Sequence, residues 1–166
     1  MTKACPGWLP VTISVDGDWR NNVLPLLYSV FVKDFKQTRR MFENRPVWWD
    51  IRIVPGGVYE EGFWHLITRI GSKTTERLFD PRRAERLPWC GPTISNSSDV
   101  AVKVWDFKEA SGRLRTYLWL EDWDYAIVLE KKQERLGEVA FLVTAFYVDG
   151  ESRRKSLRGK YAKKMN

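Results

Sequence analysis

The sequence is poor in the residues that most metal and redox sites use. Its 166 residues include one histidine, His65, and two cysteines, Cys5 and Cys90. A single histidine excludes the multi-histidine zinc sites, and the wide separation of the cysteines excludes CxxC motifs. Free, reduced thiols are therefore expected. A nucleophilic Cys90 would need His65 beside it, which the sequence does not specify. We therefore expect no metal and no cofactor.

Several functional motifs and segments are also missing. The chain has no GxxxxGKS/T or GxGxxG phosphate loop, no HExxH zinc motif and no GxSxG nucleophile elbow. No apolar run reaches the length of a signal sequence or of a membrane span. These absences favour a cytoplasmic protein without a membrane partner.

Length favours a single domain, 1–166, since one good core is the most that such a chain buries. The pattern divides it into three segments: 1–47 with an N-terminal strand and a long helix, 48–150 with mixed α+β structure and an antiparallel meander, and 151–166 with a basic tail.

Positive charge is abundant: 28 lysines and arginines stand against 21 acidic residues, for a net charge of +7. Clustered cations release the counterions of a phosphate backbone, so the balance favours a nucleic-acid partner. The tail carries seven basic residues between Arg153 and Lys164. It is either a solvated, partly helical terminus or a phosphate-binding arm.

The hydrophobic pattern predicts an α+β fold. "VTISV", 11–15, is typical of a short strand. Apolar residues recur at helical spacing over 22–43, which predicts a long helix. "RPVWWDIRIV" predicts another strand, and "DPRRAERLPW" a short basic helix that starts at Asp80. Four later segments, "VAVKVWDF", "RLRTYLWLE", "YAIVLEKK" and "GEVAFLVTAFYVD", alternate as strands joined by short turns. The prediction is an N-terminal helical part packed on a four-stranded antiparallel β-sheet.

His65 lies in "EGFWHLITR", 61–69, and is the one histidine available to exchange protons near neutral pH. Arg69 is expected on the same face as His65 in either type of secondary structure. Alternate residues share a face in a strand, and residues four apart share a face in a helix. Metal-free RNA cleavage needs a base for the 2′-OH and cations for the transition state. His65 and the arginines supply both types of group. The alternative is a histidine with an ordinary hydrogen-bond partner in the core or at the surface.

Two strands carry further candidates. Alternation in "RLRTYLWLE" places four side chains on one face: Arg113, Arg115, Tyr117 and Trp119. This face could stack a base and bind a phosphate. The alternative is that the N-terminal helix covers the face, or that the face is only solvated. In the last strand, Thr144 is expected on the face of Leu142 and Phe146, with Tyr147 opposite. Thr144 and Tyr147 can serve one site only if a bulge re-aims the strand.

The ending "AFLVTAFYVDGESRRKSLRGKYAK" resembles the final strand and basic tail of phage- and plasmid-associated nucleases in the barnase/EndoU/colicin/RelE-like (BECR) ribonuclease superfamily. The order of a helical part, a histidine, an arginine-bearing strand and a hydroxyl-bearing strand is also similar. The resemblance covers roughly the last hundred residues, and "LVTAFYVD" is its most telling part. It implies a BECR-like α+β sheet and a metal-independent endoribonuclease, commonly a toxin that cuts tRNA or mRNA and is inhibited by an antitoxin or immunity protein.

The resemblance also implies roles for individual residues. His65 corresponds to a general base or acid, Arg115 in preference to Arg113 to the phosphate cation, and Thr144 to the hydroxyl that hydrogen-bonds the scissile phosphate. A single histidine leaves the second proton-transfer role open, with Tyr147 or Lys155 able to fill it. The residues expected to bind substrate are Arg69, Arg83, Arg86, Arg113, Tyr117, Arg154 and Lys155.

Two other functions fit the same sequence. A noncatalytic nucleic-acid-binding protein would use the same basic and aromatic face. A protein-interaction module, such as an antitoxin or immunity protein, would use the tryptophans at an interface, although the positive charge counts against it.

Overall fold

A computed structural model describes residues 3–165; Met1, Thr2 and Asn166, at the ends of the predicted N-terminal and tail segments, lie outside the described part. The fold is α+β, as predicted, but its main sheet has six strands rather than four. In spatial order the strands are β1 (Met41–Phe42), β2 (Arg45–Trp48), β8 (Gly137–Tyr147), β7 (Tyr125–Glu134), β6 (Leu114–Leu120) and β5 (Lys103–Lys108).

The predicted meander β5 to β8 is antiparallel throughout. The prediction of a purely antiparallel sheet is wrong, because β2 pairs in parallel with β8 through Val47 and Trp48. Strand β1 then extends the sheet beyond β2. A separate two-stranded sheet contains β3 (Thr68–Ile70) and β4 (Arg77–Phe79).

Five α-helices surround the main sheet in residues 3–165: α1 (Leu24–Phe31), α2 (Glu61–Ile67), α3 (Pro81–Glu85), α4 (Leu87–Ser95) and α5 (Gly150–Ala162). Helix α1 has π-helical turns on both sides, at Trp19–Val23 and Val32–Lys36. No helix in residues 3–165 is long and apolar enough to cross a bilayer.

The N-terminal segment differs from its prediction. Residues 11–15 form no strand, and the backbone bond from the Ile13 N–H to the Glu85 carbonyl ties them to α3 instead. The helical stretch ends at Lys36 rather than at Glu43. Glu43 and Asn44 adopt positive φ, at 47° and 65°, which makes the tight β1–β2 turn and draws the apolar pair before it into a strand.

The two faces of the sheet have separate cores. Helices α1, α2 and α4 pack against one face around a cluster that includes Leu27, Phe31, Phe63 and Leu118. Helix α5 packs on the other face, where Leu157 is only 4% exposed. The basic tail is therefore a helix held against the sheet.

Helix α5 covers the face that the sequence offered for stacking bases. Tyr117 is 5% exposed and Trp119 is fully buried, both in the cluster that contains Leu157. The covering element is the C-terminal helix, and not the N-terminal helix. Tyr117 and Trp119 are thus unavailable to a base, because Leu157 and its neighbours already occupy the space above them.

An irregularity in β8 positions the candidate site. Val128 pairs with Thr144 but its neighbour Leu129 pairs with Leu142, so Val143 is the extra residue of a β-bulge. The bulge puts Leu142 in the main core, while Phe146 packs against the second cluster. Thr144 therefore does not share a face with both, as the sequence predicted. Pairing with β2 stops at Phe141, and α2 and α3 contact β8.

Candidate functional site

His65 lies on α2, a helix whose apolar residues face the core. Phe63, Leu66 and Ile67 are fully buried, while the side chains of Glu61 and His65, four residues apart, are 28% and 29% exposed. The segment is thus helical at His65 and becomes strand β3 at Thr68. This geometry leaves the imidazole partly exposed.

The imidazole contacts the bulge in β8. Its Nδ1 lies 3.4 Å from the Val143 carbonyl oxygen, and its Nε2 lies 3.9 Å from Glu61 Oε2. A bond to a carbonyl requires the proton on Nδ1, which leaves the Nε2 lone pair free. Burial first, and the charge of Arg77 second, lower the pKa of His65 below its usual value. A neutral imidazole with a free Nε2 is the form that accepts protons near neutral pH.

Arginines line the pocket that contains His65. A pocket of about 330 Å³ is lined by His65, Arg69, Ile70, Arg77, Arg83, Val143 and Thr144. Three of these residues carry guanidinium groups, and none carries a carboxylate. The lining is therefore suited to an anion the size of a phosphate group.

Hydrogen bonds hold two of the arginines rigidly. Arg77 Nη1 donates to the Thr68 carbonyl at 3.3 Å and to its hydroxyl at 3.1 Å. Arg83 Nη1 donates to the Thr68 carbonyl at 2.7 Å and to the His65 carbonyl at 3.2 Å. Donors that are already fixed need little reorganisation when a charge forms nearby.

Thr144 supports the same segment. Its hydroxyl donates to the His65 carbonyl at 3.0 Å and accepts from Arg83 Nη1 at 3.4 Å. In this structure Thr144 positions the backbone of His65, so its predicted hydrogen bond to a phosphate stays a prediction.

Arg115 and Arg113 lie outside the His65 pocket. Arg115 lines a neighbouring pocket of about 340 Å³, which shares Thr144 with the first. Its Nε lies 3.0 Å from Glu130 Oε2, and Arg113 Nη1 lies 3.5 Å from the same oxygen. Glu130 thus neutralises part of the charge that the sequence offered to a phosphate.

Tyr117 lines the Arg115 pocket with its polar end already engaged. Its hydroxyl donates to Glu109, and Lys160 of α5 donates to the same hydroxyl at 2.8 Å and to Glu109 Oε2 at 3.0 Å. This cluster fastens α5 to the sheet.

Tyr147 and Arg86 lie together beside α3. The Arg86 guanidinium lies 4.4 Å from the centre of the Tyr147 ring, and Arg82 lies 4.9 Å from it. Tyr147 lines a third pocket, of about 500 Å³, which shares Arg69 and Arg83 with the His65 pocket. Tyr147 is therefore near the site but does not line the His65 pocket, in spite of the bulge.

Arg154 and Lys155 lie on α5 with different surroundings. Arg154 makes a two-fold ion pair with Asp124, at 2.7 and 2.9 Å, so it docks the helix. Lys155 is exposed and lines none of the pockets around His65.

Sequence reasoning missed three residues of this region. Arg77 follows the polar connector "GSKTTE", and it reaches this region because β4 pairs with β3 in a hairpin. The sequence did not predict that hairpin. Glu61 could have been found from its spacing, since it precedes His65 by four residues and the two share a face of helix α2. Arg153 lines both neighbouring pockets, and only the fold of the tail reveals that.

Other candidate chemistry is limited. Within residues 3–165 no group of three His, Cys, Asp or Glu side chains is arranged to hold a metal ion. Cys90 is fully buried, and burial raises the pKa of its thiol far above the usual value. A protonated, buried thiol is not a nucleophile.

Comparison of the chain with family models, with curated proteins and with solved structures gives no match. The resemblance to the BECR ribonucleases therefore rests on the quoted residues alone.

Proposed function

We propose that the protein is a metal-independent endoribonuclease that uses His65 as its general base. The observation that carries the proposal is the pocket in which a partly exposed imidazole faces three arginines and no lining carboxylate. An anionic substrate that supplies its own nucleophile suits this set of groups. RNA is such a substrate, since its 2′-OH adjoins the phosphate to be attacked.

In the proposed reaction, His65 Nε2 removes the proton from the 2′-OH. The 2′ oxygen forms a bond to phosphorus and the bond to the 5′ oxygen breaks. The leaving 5′ oxygen takes a proton from water, so that a 2′,3′-cyclic phosphate and a 5′-OH result. The lowered pKa of His65 keeps the base unprotonated at neutral pH. The Val143 carbonyl holds the ring through Nδ1, and Glu61, 3.9 Å from Nε2, stabilises the imidazolium that forms.

Arg77 and Arg83 are suited to stabilise the transition state. The phosphorane carries more negative charge than the ground state, and fixed guanidinium donors favour it. Both side chains are anchored to the Thr68 carbonyl, so their charge is preorganised at the pocket wall. Arg69, whose side chain is 50% exposed and lies 3.8 Å from Asp80 Oδ2, would have to exchange this ion pair for a contact with the RNA backbone.

The neighbouring pockets extend the positive surface. Arg83 connects the His65 pocket to the pocket with Tyr147, and Arg153 connects that pocket to the one with Arg115. Carboxylates are also present, since Asp80, Glu85 and Asp149 line the pocket with Tyr147. Several cations in adjoining pockets suit a polynucleotide rather than a single nucleotide. By the BECR resemblance, the RNA is a tRNA or mRNA and the enzyme a cytoplasmic toxin held by an antitoxin or immunity protein.

The experiment is an RNA cleavage assay in EDTA with the full chain and three variants. We expect His65→Ala to lose about 100-fold or more of the activity, the low end of a general base's contribution. Arg77→Ala should lose a similar factor, because it removes a charge at the phosphate. The control is Arg135→Ala, which removes an exposed arginine in the β7–β8 turn and should leave the rate unchanged.

One observation favours a second function, a noncatalytic nucleic-acid-binding protein. Among the described residues, the His65 pocket contains neither Tyr147 nor Lys155, the two candidates for the second proton transfer. RNA binding that weakens steeply with salt, without cleavage by the unmodified chain, would favour this function and contradict the enzyme.

A further inference from the structure

A fourth pocket adjoins the His65 pocket, because Arg77 lines both. Its volume is about 820 Å³, within the range of small-ligand sites. Three aromatic residues, Trp19, Trp64 and Phe79, form part of its wall. None of the candidate residues from the sequence lies in it, so the ribonuclease proposal leaves this pocket without a role.

The aromatic wall is preorganised. The rings of Trp19 and Phe79 are stacked, with centres 4.5 Å apart and planes 1° from parallel. Trp64 meets Trp19 edge-on, at 6.5 Å. The exposed Arg20 lies 5.1 Å over the Trp19 ring. Because Phe79 already stacks on this ring, a flat ligand that stacks on Trp19 has to displace the Arg20 guanidinium. Nucleobases bind such rings by stacking.

The rim of the pocket combines donors and acceptors. Arg77 supplies guanidinium donors, while Glu61 and Glu76 supply carboxylate acceptors. Purines carry ring nitrogen N7 as an acceptor and an exocyclic amino group as a donor. They also offer a larger stacking surface than pyrimidines. Glu76 is exposed and makes no ion pair within the described residues, so its carboxylate is available to an amino group.

We propose that this pocket binds a purine base of the RNA, next to the phosphate that occupies the His65 pocket. The inference rests on the proposed ribonuclease function, since it names the nucleotide beside the cleaved bond. Arg77 then contacts the substrate from both sides, and Glu61 lies between the base and His65 Nε2. Cleavage is directed to bonds adjacent to purines.

The test is calorimetric titration of the full chain with the four nucleoside 3′-monophosphates, which have no bond to cleave. Inorganic phosphate serves as the probe of the His65 pocket alone. We expect 3′-AMP and 3′-GMP to bind at least about tenfold more tightly than 3′-CMP, 3′-UMP and inorganic phosphate. A difference in affinity of this size is on the scale of one charged hydrogen bond plus stacking. Equal binding of all four nucleotides, or no binding, would overturn the inference.

Two variants locate the binding site. Glu76→Gln removes one exposed carboxylate and should weaken purine binding by about tenfold, whereas Glu134→Gln, in the distant groove beside Trp48, should not. Trp19→Leu removes the stacking surface and should also weaken purine binding. Because Trp19 packs against the main core, Glu76→Gln is the decisive variant if Trp19→Leu does not fold. Unchanged purine affinity in Glu76→Gln would overturn the inference.

Failure of this inference and failure of the enzyme proposal give different results. RNA cleavage without purine preference, combined with weak nucleotide binding, would overturn the base pocket and keep the ribonuclease. Tight purine binding that depends on Glu76, with no cleavage of RNA, would keep the pocket and overturn the ribonuclease.

Discussion

Thr144 donates its hydroxyl hydrogen to the backbone carbonyl of His65, at 3.0 Å, across 79 positions of sequence. This bond links the bulged strand β8 to the end of α2 and fixes His65 against the sheet. Arg83 donates to the same carbonyl at 3.2 Å. The hydroxyl that the BECR resemblance assigns to the phosphate is thus engaged with His65 itself.

A substitution at Thr144 separates positioning from phosphate binding. We expect Thr144→Val to lower the free energy of unfolding by about 1 kcal/mol, the typical value of one hydrogen bond, and to lower kcat. Thr144→Ser, which keeps the hydroxyl, should restore both quantities. Urea unfolding and steady-state kinetics measure them. A large fall in kcat for Thr144→Val without any loss of stability would instead favour direct contact with the phosphate.

The pH dependence of cleavage should report the lowered pKa of His65. The base is active when unprotonated, so activity should rise with pH through a pKa below the ordinary histidine value and level off near neutrality. Arg77→Gln removes the charge that helps burial to lower this pKa, so its activity should reach half-maximum at a higher pH. Initial rates across the acidic range measure both curves. An unchanged midpoint in Arg77→Gln would contradict the assignment of His65 as the base.

The docking of α5 should depend on Leu157 and not on the exposed lysines. Leu157→Ala leaves a cavity over Tyr117 and Trp119, and we expect it to cost about 2–3 kcal/mol of unfolding free energy. Lys155→Ala should change stability by less than about 0.5 kcal/mol, because this side chain is exposed. Urea denaturation compares the two. Equal stability of both variants would show that α5 is not packed on the sheet.

The two cysteines should differ in reactivity. Cys5 is exposed and Cys90 is buried, where the raised pKa keeps the thiol protonated. A thiol reagent at neutral pH should modify one cysteine in the folded protein and both in denaturant. Rapid modification of Cys90 in the folded state would contradict its burial.

The sequence predicted the meander well, because a period-two pattern is local to each strand. "GEVAFLVTAFYVD" was expected as a strand and forms β8, and β5 to β7 also lie where alternation placed them. The parallel addition of β2 was not predictable in this way. Its two residue pairs join segments about ninety positions apart, and no local pattern encodes that choice of partner.

The candidate site was predicted in part. The sequence named four residues that the structure brings into one pocket: His65, Arg69, Arg83 and Thr144. It could not show that Glu130 pairs with Arg115 or that α5 covers Tyr117. In α5 only Leu157 is buried, so the sequence of the tail has no apolar pattern that would predict its packing against the sheet. Arg77 enters the site through a hairpin whose pairing the sequence does not specify.

The most direct measurement is cleavage, in EDTA, of a DNA oligonucleotide that contains a single ribonucleotide. If His65 activates a 2′-OH, the unmodified protein cuts only on the 3′ side of that ribonucleotide and leaves a 2′,3′-cyclic phosphate and a 5′-OH. His65→Ala should leave the oligonucleotide intact. Cleavage of an all-deoxy control, products with 5′-phosphate ends, or full activity in His65→Ala would contradict the account.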